Sequence, residues 1–219
     1  MDHEGMSLSN YPMVKIPGGV IDLRDDRTQS KWQVEIKPFL LAPYPVTTAL
    51  YDVGDRDQKP VVNVSWHDAI SFCNHLSQQT GLQPFYSNPN DGESVICHWE
   101  SNGFRLPSEA EWQYACKAGT SGYRYGEIDQ IAWYRDNSGG SIHEIGTKEP
   151  NAWGLYDMLG NVWEWCWDIY DKNVYGSYRI FRGGSWAEEE RGCGASCRRR
   201  SHPSLAIDDL GFRLARNDK

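Results

Sequence analysis

Apolar and polar positions alternate through residues 13–19, MVKIPGG, and the glycine pair behind them signals a turn, which predicts an opening strand. A stretch without clear periodicity follows. Alternation returns over residues 32–44, where Pro43 and Pro45 each disfavour helix in the residue before them, so a second strand is expected. The period then becomes helical. Trp66, Ala69, Ile70, Cys73 and Leu76 share one face behind Ser65, which with Asp68 resembles a capping box, and Gly81 supplies a left-handed stop. Ser108 and Glu111 repeat the device after Pro107, with Ala110, Tyr114, Ala115 and Ala118 following and Gly119 closing a second helix. Between them, residues 83–103 are polar and turn-rich except for β-favourable pieces around 84–86 and 95–99, which predicts a hairpin. Beyond Gly119 there is no third amphipathic pattern, only short aromatic pieces separated by Gly, Asn and Asp. Two helices amid short strands and long loops make an α+β domain. With no repeat, linker or change of composition, residues 1–219 read as a single domain whose motif-bearing part runs from about 13 to 216.

Composition adds to this picture. Ten Trp and twelve Tyr in 219 residues, with 21 Gly and 11 Pro, suggest loops packed on aromatic side chains in place of long helices. A net charge of -8 argues against nucleic-acid and acidic-membrane partners, because phosphate recognition needs a basic surface. Arg198, Arg199 and Arg200 are the local exception. Glu188, Glu189 and Glu190 stand upstream to neutralise them, so the run reads either as an internal charge network or as an anion-binding groove. The N-terminus shows no basic segment leading into an apolar one, and no apolar run is long enough to span a bilayer. Six cysteines without zinc-type spacing or a dense disulfide framework point to a reducing cytoplasm.

Four blocks in order carry a resemblance: PVVNVSWHDAISFCNHLS (60–77), GFRLPSEAEWQYACKAG (103–119), PNAWGLYDMLGNVWEW (150–165), and RGGSW (182–186) with LGFRLAR (210–216). The chain resembles the sulfatase-modifying-factor family, the formylglycine-generating-enzyme-like proteins. The resemblance implies a variant of the C-type-lectin-like fold, with a twisted antiparallel sheet, two main helices and much irregular loop.

Asp157 and Glu164 bracket a Gly-Asn turn, so two carboxylates and the carbonyls of Gly160 and Val162 are candidates to converge on one cation. Oxygen-only ligation of that kind suits calcium. The competing reading is that both carboxylates pair with arginines or cap turns. The resemblance favours calcium, since the positions matching Asp157, Gly160, Val162 and Glu164 hold a structural calcium in related enzymes.

The resemblance also implies chemistry: oxidation of a cysteine to an aldehyde with oxygen and a copper(I) ion held by two thiolates. Counted from Ser185, which matches a serine of the family's active-site pocket, the second thiolate falls on Cys193 and the first on Glu188, a hard ligand that copper(I) does not favour. Cys197 lies four residues after Cys193, about 13 Å away on an extended strand, so only a bent loop lets the two share a metal. Cys193 is otherwise a buried small hydrophobe, or one half of a redox-sensitive dithiol. Two functions follow. One is an oxygen-dependent oxidoreductase acting on a peptide or small thiol, with Ser185, Cys193 and Cys197 at its centre and copper(I) as the cofactor the resemblance implies. The other is a non-catalytic lectin-like binding module for a peptide or anionic ligand, with Trp186, Glu188, Arg198, Arg199 and His202 lining its groove. Neither substrate nor oligomeric state is legible.

Overall fold

The computed structural model describes residues 11–25, 27–52, 54–89 and 94–219. The N-terminal segment read above for targeting signals lies outside the described residues. Strand β1 (Val14–Ile16) leads into a seven-residue hairpin of β2 (Gly19–Asp25) and β3 (Ser30–Ile36), paired from Gly19 with Ile36 to Asp25 with Ser30. The sequence pattern missed β2 and fused β3 with the next strand. Both errors have one cause. One face of the hairpin packs on the core and the other is open, so Lys31, Trp32 and Gln33 are exposed, while the inward set of β2 includes the charged Asp25 beside Ile21 and Leu23. Lys37 and Pro38 then turn the chain into β4 (Phe39–Leu41).

A one-turn helix α1 (Thr48–Tyr51) precedes α2 (Trp66–Gln79). Both halves of the expected capping box are present: the Ser65 hydroxyl accepts from the Asp68 amide at 3.1 Å, and the Asp68 carboxylate accepts from the Ser65 amide at 2.9 Å. Such a cap contributes about 1 kcal/mol. The face containing Trp66, Ile70, Cys73 and Leu76 is buried. The predicted hairpin is β5 (Tyr86–Ser87) with β6 (Ile96–Cys97). Helix α3 (Glu109–Lys117) carries the second capping box, in which Glu111 also receives both forks of Arg105 at 2.7 Å.

Past α3 the regular structure thins, as the pattern predicted: one-turn helices α4 (Ile128–Ile131) and α5 (Lys172–Tyr175) and short strands β7 (Trp163–Ile169), β8 (Arg179–Arg182), β9 (Arg199–Ser201), β10 (Leu210–Phe212) and β11 (Ala215–Asn217). Strands β7 to β10 form one sheet in the order β10-β7-β8-β9, with β10 parallel to β7 and the other pairs antiparallel. Strands β1 and β11 flank β4 in another, joining the first described strand and the last. This mixture of small sheets, two main helices and long loops is the C-type-lectin-like α+β architecture.

Two apolar clusters fill the interior. Trp66, Trp163, Trp165, Phe181 and Phe212 belong to one, and Trp112, Phe39, Leu155, Met158 and Leu159 to the other. Each such side chain contributes about 1.5–3 kcal/mol on burial. The irregular backbone between is tied by side chains, since buried peptide groups must find partners. Arg213, fully buried, donates to the carbonyls of Ala42, Pro43 and Tyr156, and the Asn151 amide donates to the Ala115 carbonyl. No helix among the described residues is long and apolar enough to cross a membrane.

Candidate functional site

The loop from β8 to β9 carries most of the predicted site residues, and its start is set by two glycines with positive φ. At Gly184 (φ +82) a Cβ would lie 2.5 Å from the Cys193 sulfur, so only glycine lets the loop close over that thiol. Ser185 is fully buried and donates to the Asp209 carboxylate at 2.6 Å. Glu188 accepts from the Glu189 amide at 3.1 Å and lies 3.5 Å from Arg199. The backbone then makes a short 3-10 turn, Glu190–Gly192, which brings Cys193 under Gly184.

Burial pushes the Cys193 thiol up to about 12, and the nearby Glu188 carboxylate adds to the effect. Burial also raises Cys197. A turn bond from the Cys197 amide to the Gly194 carbonyl bends the segment, and the two thiols are close enough to influence each other electrostatically. Even so, the donors do not fit a copper(I) site of the family's kind. The partner facing Cys193 is a carboxylate, and both thiols hold their protons through neutral pH. All six cysteines are free.

The arginine run divides. Arg198 turns inward, and its guanidinium holds Glu109 at 2.5 and 2.9 Å and Asp25 at 2.5 Å. Arg198 also lines the cleft described next, with its charge answered by those carboxylates. Arg199 remains half-exposed, and Arg200 lies over the rings of Tyr170 and Tyr175. A cleft of about 540 Å³ opens here, lined by Cys197, Arg198, Arg199 and Arg200 together with Arg24, Arg27, Tyr123, Tyr170 and Arg191. Trp186, Glu188 and His202 do not line it: the Trp186 indole donates to the Asp208 carbonyl at 3.3 Å, and His202 bonds Ser204 on the surface. Sequence reasoning missed Arg24 and Arg27, which reach the cleft from the β2–β3 hairpin, unrecognised in the pattern and tied to the segment before β9 by the Asp25–Arg198 pair.

Asp157 and Glu164 are both buried. Glu164 is engaged on both oxygens: Arg213 donates to them at 2.8 to 3.2 Å, and the Trp112 indole donates at 2.8 Å. Asp157, in left-handed backbone (φ +52), accepts from the Gly146 amide at 2.7 Å and forms no ion pair among the described residues. Burial raises its pKa. The buried Tyr125 hydroxyl, which has no hydrogen-bond partner, lies within electrostatic reach of both carboxylates. Gly160 (φ +73) packs its Cα where a Cβ would meet the Trp133 carbonyl at 2.3 Å, and Val162 is buried. Glu164 thus takes the arginine pairing that competed with calcium at the sequence level, and Asp157 is left as a buried carboxylate near an orphaned hydroxyl.

Residues 50–218 match the sulfatase-modifying factor enzyme 1-like domain. Among curated proteins, the chain is 29% identical to the chaperone protein LppX of Paenibacillus barcinonensis, over 80% of this chain and 78% of that one. It is 29% identical to the formylglycine-generating enzyme of Streptomyces coelicolor, covering 75% of this chain but only 54% of the enzyme. It is 28% identical to the inactive C-alpha-formylglycine-generating enzyme 2 of Mus musculus, covering 74% and 51%. Thus the chain spans about half the length of the last two. Among solved structures, Treponema denticola variable protein 1 superposes with a TM-score of 0.82 at 31% identity, covering 94% of this chain and 95% of that one. CarF superposes with a TM-score of 0.79 at 27% identity, covering 95% and 100%.

Proposed function

The chain belongs to the sulfatase-modifying-factor family, and from that premise we propose that it is a binding module which keeps the family's fold and has exchanged copper chemistry for capture of a peptide or other anionic ligand. The observation that carries the reading is the cleft beside Cys197, lined by six arginines and no carboxylate in a protein of net charge -8. Carboxylates set behind the lining answer Arg27, Arg191, Arg198 and Arg199, and the charge of Arg200 adds positive potential against the field of the whole molecule. Glu188 in the place of a thiolate, and Cys193 sealed beneath Gly184, support it. A relative whose own name declares it inactive is consistent with loss of catalysis within this family.

Calcium is proposed at Asp157, Gly160, Val162 and Glu164, where it would neutralise the remaining charge and fasten loops that lack strand pairing. Its role there is stability. Free thiols suit a reducing cytoplasm, and we place the protein there.

The oxidoreductase reading retains one supporting feature, a bent segment that keeps Cys197 within electrostatic reach of Cys193 beside an open cleft. One experiment separates the two. The purified protein is loaded with copper(I) under reducing conditions, analysed for bound metal, and titrated with acidic and basic peptides containing or lacking cysteine. Binding of acidic peptides regardless of cysteine, unchanged in Cys193→Ser, supports the module. Stoichiometric copper lost in Cys193→Ser or Cys197→Ser, with oxygen consumed on cysteine peptides, defeats it.

A further inference from the structure

Three guanidinium groups converge on one ring: Arg27, Arg198 and Arg200 lie 6.0, 4.5 and 4.6 Å from the centroid of Tyr170. Like charges this close repel unless each is compensated. Arg198 is, by Glu109 and Asp25. Arg27 is, by Asp171 at 2.9 Å. Arg200 has no carboxylate at ion-pair distance among the described residues. One of its terminal nitrogens donates to the Tyr175 hydroxyl at 2.7 Å, and its Nε is buried without a partner. Its neighbour Arg199, 49% exposed, meets Glu188 only at 3.5 Å. The positive charge left over faces the cleft.

Resting on the binding-module reading, we propose that this cleft is a site for a tetrahedral oxyanion ester, a phosphate or sulfate group on a larger ligand, held by Arg27, Arg199 and Arg200. Stacking on Tyr170 and Tyr175 (4.0 Å to the latter centroid) fixes the plane of the Arg200 guanidinium before the ligand arrives, which lowers the ordering cost of binding. Several guanidinium forks converging from different elements suit an anion with three free oxygens, whereas a carboxylate fills one fork. A cleft of about 540 Å³ exceeds the needs of a bare ion, so the oxyanion is carried on an organic group, for which Tyr123 and Tyr170 offer aromatic walls.

The test is calorimetric titration of the full chain at low salt with phenyl phosphate, phenyl sulfate and benzoate. One of the two esters is expected to bind at least about tenfold more tightly than benzoate, and which one it is identifies the source of the oxyanion. Arg200→Gln and the more exposed Arg199→Gln should each weaken that ester about tenfold or more, with thermal unfolding confirming that the variants fold. Arg135→Gln should leave binding unchanged, since Arg135 pairs with Glu189 outside the cleft. The inference is overturned if neither ester binds, if benzoate binds as well, or if Arg135→Gln costs as much as Arg200→Gln. Capture of carboxylate-rich peptides without competition from either ester would defeat this inference and leave the binding module standing. Copper loading with turnover and no anion binding would defeat both.

Discussion

Replacing Glu109 with glutamine changes one atom and removes the charge that holds two buried arginines. Glu109 is 4% exposed and receives Arg182 at 2.6 Å and Arg198 at 2.5 and 2.9 Å. With Asp25 on Arg198 the four groups are neutral overall. Glu109→Gln leaves one uncompensated positive charge in the interior, where removing one partner of a buried pair costs about 3–5 kcal/mol. Against a total stability of about 5–15 kcal/mol, that is a large share. At roughly 2–4 °C per kcal/mol for a domain of this size, the midpoint should fall by about 10 °C. Urea denaturation followed by circular dichroism at neutral pH measures it, with Glu189→Gln as control because the ion pairs of Glu189 are exposed and worth under about 1 kcal/mol. A loss below about 1 kcal/mol in Glu109→Gln, or one no larger than the control, would show that the network is screened or relaxes freely, and the account of Arg198 as an interior residue would fail.

Burial and the neighbouring Glu109 carboxylate raise Asp168 from 3.8 to about 6. The native state therefore binds this proton more tightly than the unfolded chain, the charged form opposes folding above pH 6, and the penalty fades as pH drops toward 3.8. Asp168→Asn, which still accepts from the Glu109 amide, should stabilise the protein by about 1–2 kcal/mol at pH 7.5, after discounting for partial exposure, and by little at pH 4. Equal gains at both pH values would count against the assignment. Gly184→Ala forces a Cβ into the Cys193 sulfur at a left-handed position, and a loss of about 2 kcal/mol or more is expected by thermal melting; a neutral result would mean that the loop has slack. Added calcium should raise the melting temperature of the wild type but not of Asp157→Ala, and equal shifts in both would remove the calcium proposal.

What could be read from the chain was what the chain encodes locally. Ser65 with Asp68 and Ser108 with Glu111 announce helix starts within four residues, and the hairpin around Tyr86 and Cys97 follows from short β-favourable pieces flanked by turns. The β2–β3 hairpin did not declare itself, because Asp25 is buried for the sake of Arg198, 173 positions later. The same distance hid the division of the arginine run. Nothing in Arg198, Arg199 and Arg200 tells which one turns inward until Glu109, 89 positions earlier, is in place. Asp157 and Glu164 were legible as a pair of carboxylates, whereas Arg213, which occupies Glu164, comes 49 residues on.

Strand β4 is flanked by β1 on one side and β11 on the other, so a sheet begun within the first forty-one residues is completed only by Ala215, Arg216 and Asn217. On the ribosome, then, β4 must wait with one edge open through the synthesis of everything between, and Arg213, which ties the carbonyls of Ala42 and Pro43, arrives almost as late. Without residues 213–217, β4 would keep an unpaired edge open to other chains and Glu164 would stay buried without its arginine.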